Sequence, residues 1–215
     1  MRFPDRSRAG QLLAEKLTHH TSRKDVAVMA LPPGGVPVGY EIADALNAPL
    51  DLLVIRNLRV PENPVLVMGA VCADGTHVLN HEVIRWLKIA DATIDAVITT
   101  ESAESERLDR AYRRGAERVD VAGKTVILVD DGIETASTMR TAVSVLRLRR
   151  PTRIVIAVPV ANASGVLELR AGANDVVTCI LPNEFDGVHQ WYEDFREISE
   201  ESVRDLFERA KGRAG

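Results

Sequence analysis

Cysteine is nearly absent, with Cys72 and Cys179 the only two in 215 residues. They lie far apart in apolar runs, so neither a disulfide framework nor a zinc site is indicated, and two buried, reduced thiols are expected. Long apolar runs are also missing. Stretches such as 154–161 fall far short of the roughly 18 to 20 residues that cross a bilayer, so no membrane span is expected. Neither sign of charge dominates: 27 Lys and Arg stand against 31 Asp and Glu, a net charge of −4. No overall basic field draws the chain to nucleic acid or to an anionic membrane, and neither is an expected partner. The first residues lead into an amphipathic pattern of Ala9, Leu12, Leu13 and Leu17. That pattern is unlike the apolar block of a signal peptide, so a cytoplasmic location is expected. What remains is ordinary globular material, 46% hydrophobic and 27% charged, which excludes disordered, collagen-like and coiled-coil chains. The length suits one well-buried domain over 1–215 with an embellishment.

Short apolar runs at 26–31, 50–55, 125–129, 153–158 and 175–181 alternate with helical patterns at 38–46, 138–149 and 164–171. This alternation predicts an α/β fold, a parallel sheet flanked by helices, with a core over about 20–181. The interval of about 57–123 breaks the pattern and reads as an insertion. Within it, 66–73 and 77–79 flank Asp74-Gly75, a pair suited to a hairpin turn, which gives a candidate flap. The stretch 91–114 reads as a long helix, with Glu106 and Asp109 each four residues before an arginine. Arginines 107, 110, 113, 114 and 118 read first as a solvated face, with a phosphate- or RNA-binding stripe as the alternative. The final segment, 182–215, gathers Phe185, Trp191, Tyr192, Phe195 and Phe207. It reads as a small C-terminal hood, either packed on the sheet or offering a stacking surface to a planar ligand.

The chemistry concentrates in Val126-Ile127-Leu128-Val129-Asp130-Asp131-Gly132-Ile133-Glu134-Thr135-Ala136-Ser137-Thr138. An apolar strand delivers two carboxylates to its C-terminal end, where ligands of open α/β sheets bind. A loop of small residues then opens a helix. Its backbone N–H groups and the hydroxyls of Thr135, Ser137 and Thr138 make an anion site suited to phosphate. Acids beside a phosphate cradle fit a sugar phosphate, because carboxylates accept from vicinal hydroxyls or hold a magnesium shell through water. A plainer reading has the acids ending a strand and Thr135 or Ser137 capping the helix. Paired acids after a strand also occur in receiver domains and aspartyl-phosphate phosphatases.

This segment resembles the fingerprint of the type I phosphoribosyltransferases. Ala30-Leu31-Pro32-Pro33-Gly34-Gly35-Val36-Pro37-Val38 is similar to the family's pyrophosphate loop, Leu53 to Asn57 to a strand ending in basic residues, and Asn63 to Val71 to the start of its flap. Leu181 to Phe195 is similar to the hood over the base, so the likeness spans nearly the whole chain. It is nearest to an uncharacterised bacterial branch of the family.

The resemblance implies transfer of a 5-phosphoribosyl group from phosphoribosyl pyrophosphate to a nitrogen acceptor, usually a nucleobase, with release of pyrophosphate and with Mg2+ as cofactor. In that picture Asp130 and Asp131 hold the ribose hydroxyls and, indirectly, the metal, while Glu134 is an acid/base candidate or a carboxylate favoured by the helix dipole. Thr135, Ala136, Ser137 and Thr138 bind the 5′-phosphate. Gly34, Gly35 and Arg56 bind pyrophosphate, and Phe185, Trp191 or Tyr192 stacks on the base. Many members are homodimers. The chain departs from the pattern at Ala136, where the loop usually has Gly, at Pro33 in place of Arg, and at Asn57 in place of Lys; residues 158–161 also lack the lysine of purine-specific members. These departures favour a second reading, a catalytically degenerate relative that binds a nucleotide or phosphoribosyl pyrophosphate as a regulatory module.

Overall fold

The structure is a computed structural model and describes residues 2–212. The chain divides into two compact units, one formed by Met1–Leu53 with Tyr112–Gly215 and the other by Val54–Ala111.

The first unit is built on five parallel strands: β1 (Val26–Ala30), β2 (Leu50–Leu52), β6 (Thr125–Val129), β7 (Arg153–Val160) and β8 (Asp175–Ile180). Their order across the sheet is β2-β1-β6-β7-β8, and every pairing is parallel. Every residue of β1 and β6 is buried, which explains why both read as unbroken apolar runs: each strand is covered on two faces. Around the sheet lie α1 (Arg6–Glu15), α2 (Gly35–Leu46), α5 (Ala136–Leu148), α6 (Ala163–Arg170) and α7 (Glu200–Lys211). Helix α2 ends as expected, with Asn47 in the left-handed region at φ 50° just before Ala48-Pro49. The apolar stripe of α7 buries Val203 and Phe207.

The second unit contains an antiparallel sheet of β3 (Ile55–Val60), β4 (Asn63–Cys72) and β5 (His77–Leu79). The expected hairpin is β4 with β5, turning at Gly75 with φ 79°. Strand β3, paired with β4 from Ile55 opposite Cys72, was not expected. The run 50–55 stays apolar across a change of pairing partner, and such a change leaves no mark on side-chain polarity. Helices α3 (His81–Leu87) and α4 (Asp91–Arg113) complete the unit, around a core of Leu58, Val60, Met68, Val71 and Ile94.

Two sequence readings need correction. Arg113 is not on a solvated face: it is 6% exposed and paired with the fully buried Asp51. By contrast, Arg107 and Arg110 pair with Glu104 and Glu106 in solvent. The spacing that brings Arg107 and Arg110 to their acids says nothing of where the last turn of α4 lands. Among the two cysteines, Cys72 is buried, but Cys179 is only half-buried. Its strand β8 is the last in the sheet order, and partial burial pushes its thiol up from the usual range.

Candidate active site

The site is assembled by the register of two neighbouring strands. Ala30 of β1 lies opposite Val129 of β6, so the loops that follow leave the sheet side by side at its C-terminal edge. The Leu31 N–H donates to the Val129 carbonyl at 2.9 Å and continues the pairing into the loop. The first loop is Pro32-Pro33-Gly34 and the second begins with Asp130-Asp131. They are so close that side chains are excluded. A Cβ on Gly34 would lie 2.2 Å from Asp131 Oδ2, and one on Gly35 would lie 2.7 Å from the Val129 oxygen and 2.9 Å from the Asp130 Cα.

These two clashes differ in kind. At Gly34 the obstacle is the mobile end of a carboxylate, whereas at Gly35 it is backbone. Gly35→Ala is therefore expected to destabilise the fold by about 1 to 3 kcal/mol. Gly34→Ala is expected to displace the Asp131 carboxylate and weaken its bond from Arg6, with a smaller loss of stability than Gly35→Ala. Thermal melts of the two variants check the difference in stability, and titration with phosphoribosyl pyrophosphate checks the displacement.

Three elements hold Asp131. Its Oδ2 accepts from Arg6 Nε of α1 at 2.8 Å, its carbonyl accepts from the Tyr192 hydroxyl at 2.6 Å, and its N–H donates to Asp130 Oδ1 at 2.9 Å. Arg6 is held in turn: Nη1 donates to the Arg196 carbonyl at 2.9 Å, and the guanidinium lies 3.8 Å from the centre of the Phe195 ring. Tyr192 sits within an aromatic cluster, 5.4 Å from Phe3 and 5.1 Å from Phe195 between ring centres. Its burial beside two acids keeps the phenol protonated, and so a donor.

Burial, and then the charge of Asp131, push the Asp130 carboxyl well above the usual range. Burial raises Asp131 as well, while the bond from Arg6 draws it back. Two adjacent carboxylates out of water accept one negative charge more readily than two, and the second waits for a cation. Among the described residues no cluster of three or more His, Cys, Asp or Glu could hold a metal by itself. The pair instead suits a magnesium ion that keeps its waters and takes other ligands from a bound substrate.

Beyond the acids, Asn162 organises the loop. Its Nδ2 donates to the Glu134 carbonyl at 2.8 Å, and its Oδ1 accepts from Gly165 N–H at 2.6 Å, capping α6. Helices α1, α3, α6 and α7 are capped by the side chains of Asp5, Asn80, Asn162 and Ser199. The N-caps of α2 and α5, Gly34 and Thr135, make no such bond. At α2 the first N–H groups donate instead to the Leu31 and Pro33 carbonyls, at 2.9 and 3.2 Å, whereas α5 opens from the site with N–H groups that no capping side chain covers. Ala136 is the first residue of α5 and is absent from the residues with positive φ. Its Cβ therefore carries none of the backbone cost that the substitution of a loop glycine suggests.

The site residues expected from sequence are divided between two cavities and their surroundings. Asp130, Asp131, Glu134, Thr135 and Thr138 line a cavity of about 330 Å³, together with Met139, Val188, His189 and Phe195. Gly34 and both acids line a second, of about 470 Å³, with Arg6, Pro33 and Phe195. Ala136 is buried, Ser137 is half-buried at the start of α5, and Gly35 packs on β6. Arg56 belongs to the second unit, where its Nε donates to Glu101 at 2.8 Å. Phe185, Trp191 and Tyr192 line neither cavity. They pack in the cluster around Phe3, Ala9, Val160 and Val188, and the hood residues that reach the cavity of about 330 Å³ are Val188, His189 and Phe195. Sequence reading missed Arg6, His189 and Asn162. Asn162 carried the one local signal, an Asn just before a helix.

Comparison with known proteins agrees with this architecture. Two Mycobacterium tuberculosis proteins, from the CDC 1551 and H37Rv strains, are each 39% identical to the chain over 208 residues. Their own designation as phosphoribosyl transferases is provisional. The match covers 97% of this chain and 47% of each of theirs, so the chain spans about half the length of these curated relatives. A crystal structure of a Thermus thermophilus protein superposes with a TM-score of 0.85 at 36% identity, covering 96% of this chain and 98% of that one. At the level of fold alone, a Neisseria gonorrhoeae protein crystallised with ppGpp gives a TM-score of 0.51 at 14% identity, over 97% and 98% of the two chains. The family model for the phosphoribosyl transferase domain matches residues 5–194. With a match of that extent, and with its acid pair, glycine loop and open helix start on neighbouring parallel strands, the chain belongs to the phosphoribosyl transferase domain family.

Proposed function

We propose that the chain transfers a 5-phosphoribosyl group from phosphoribosyl pyrophosphate to a nitrogen acceptor, most naturally a nucleobase, and releases pyrophosphate. The observation that carries this reading is the packing of Gly34 against the Asp131 carboxylate and of Gly35 against the Val129-Asp130 backbone, where β6 gives way to its acids. A diphosphate on the glycine loop would then lie beside carboxylates suited to the ribose hydroxyls. Asp130 and Asp131 accept from the ribose 2- and 3-hydroxyls and orient the anomeric carbon. The first-turn N–H groups of α5, with Thr135, Ser137 and Thr138, receive the 5′-phosphate at the positive end of the helix. Asp130 and Asp131 would hold a magnesium ion, which would supply charge neutralisation for the departing pyrophosphate. Glu134 and His189 line the cavity where an acceptor would stand, and they are its candidates for proton transfer. Phe195, which lines both cavities, is the ring a ribose or base would meet, and Phe185, Trp191 and Tyr192, the stacking candidates from sequence, would support it from the cluster behind. A homodimer and a cytoplasmic location belong to the same proposal and rest on the family resemblance alone. No described helix is long and apolar enough to cross a membrane.

The second reading, a regulatory binder without turnover, is favoured by the Pro32-Pro33 segment. It offers neither a side-chain charge nor backbone N–H groups to a leaving group. Calorimetric titration with phosphoribosyl pyrophosphate, with and without magnesium, followed by pyrophosphate release across a panel of bases, decides between the two. Magnesium-dependent micromolar binding with release for at least one base is expected. Binding without release for any base would leave the regulatory module, and no binding would remove the transferase reading and leave a module whose ligand is a nucleotide.

A further inference from the structure

We infer that Arg6, on the N-terminal helix, is the protein's own cation for the diphosphate group of the donor. The inference rests on the donor reading of the same site. It starts from a shortage. The cavity beside the Pro32-Pro33-Gly34 loop carries three acids, Asp130, Asp131 and Glu197, and Arg6 is the only Lys or Arg in its lining. The adjoining cavity at the start of α5 has no Lys or Arg in its lining. The prolines of the loop contribute no N–H. A leaving group with several negative charges therefore meets a single permanent protein cation among the described residues that line these cavities.

Arg6 is built to serve as one. Its side chain is only 9% exposed, and its guanidinium is stacked on Phe195 and tethered by Asp131 and the Arg196 carbonyl. Those two bonds use Nε and one Nη1 hydrogen, so the rest of the planar fork remains available to anionic oxygens. Stacking fixes the plane of the fork before a ligand arrives, which lowers the ordering cost of binding. Arg6 also touches the acid that receives the ribose hydroxyl. One guanidinium thereby joins the sugar end of the donor to its diphosphate end, and a lysine, with a point charge and no plane to stack, reproduces this only in part.

The test compares Arg6→Gln and Arg6→Lys with the unaltered protein, using calorimetry with magnesium and three probes: phosphoribosyl pyrophosphate, inorganic pyrophosphate and ribose 5-phosphate. Arg6→Gln is expected to weaken both diphosphate probes by about 10- to 100-fold, the size of one charge-assisted contact. Ribose 5-phosphate should change by less than about 3-fold, with Arg6→Lys intermediate on the diphosphates. Weakening of the two ribose probes with pyrophosphate spared would show that Arg6 only holds Asp131, and equal weakening of all three or unchanged affinities would also overturn the inference. Should Arg6→Gln fail to fold, the charge-retaining Arg6→Lys decides by the same ratio of diphosphate to monophosphate loss. If the unaltered protein binds pyrophosphate through Arg6 but not phosphoribosyl pyrophosphate, the transferase reading falls and the assignment of Arg6 stands. If it binds neither diphosphate, both fall.

Discussion

Asp130→Asn combined with Asp131→Asn is expected to fold and to bind phosphoribosyl pyrophosphate about 100-fold more weakly or worse. Two ionised acceptors are lost from the ribose hydroxyls and the metal shell, each worth about 1.5 to 3 kcal/mol. The shape of the site survives, since an asparagine side-chain oxygen at position 130 still accepts from the N–H of the next residue, as Asp130 Oδ1 does at 2.9 Å. Calorimetry with magnesium measures the loss, and a melt confirms the fold. Unchanged affinity in the folded double variant would place the donor site elsewhere.

The single variant Asp130→Asn makes a separate statement about stability. Burial and the neighbouring acid raise the folded pKa of Asp130 above its usual 3.8, so its protonated form favours the native state. That contribution is complete below about pH 4 and is lost as pH rises through the elevated value. Asparagine stays neutral throughout. The variant should therefore melt with the unaltered protein near pH 4 and above it toward neutrality, by about 2 to 4 °C for each kcal/mol relieved. A gap that fails to widen with pH would show that the pair is not under electrostatic strain. The strain is consistent with the proposed role, because magnesium and the donor would relieve what folding alone leaves uncompensated.

Asp51→Ala is expected to be the most damaging single change to stability outside the site. Asp51 is fully buried and accepts from Arg113 Nη1, from Leu52 N–H at 2.7 Å and from Val119 N–H at 2.7 Å. Arg113 also donates to the Leu52 carbonyl at 2.8 Å. Truncation takes the carboxylate away from a buried guanidinium, which keeps the Leu52 carbonyl, and from two N–H groups, at a cost of about 3 to 5 kcal/mol. At about 2 to 4 °C per kcal/mol, the melting temperature should fall by about 6 to 20 °C. Pairing it with Arg113→Met removes the stranded charge, so the double variant should lose less than the sum of the two single changes. Additive losses in that cycle would mean that the pair is not coupled.

These experiments turn on residues that were unequally visible in the sequence. Asp130 and Asp131 could be read at once, because an apolar run followed by two acids and a small-residue loop is a local pattern with a local cause. The strand must end where polarity begins, and the helix must start where hydroxyls gather. Asp51 and Arg113 could not be read. One sits inside an apolar run and the other on a helix whose charges pair three or four residues apart, and neither position shows that the two meet. The aromatic hood shows both outcomes. Its packing was legible from composition, whereas the residues that face the cavity depend on which side of the short helical turn Val188–Trp191 points inward, for Val188 and His189, and on the path of the chain beyond it, for Phe195.

The sequence by itself determined the parallel α/β core, the hairpin at Gly75, the acid pair and the glycine loop, because periodicity, turn chemistry and the ends of strands are properties of neighbours along the chain. Tertiary structure alone decided that β3 pairs with β4 instead of extending β2, that Asn162 ties down the loop at Glu134, and that Arg6 reaches Asp131. These are choices of partner across long stretches of chain. They depend on strand register, helix packing and the burial of charge, and no local pattern encodes them.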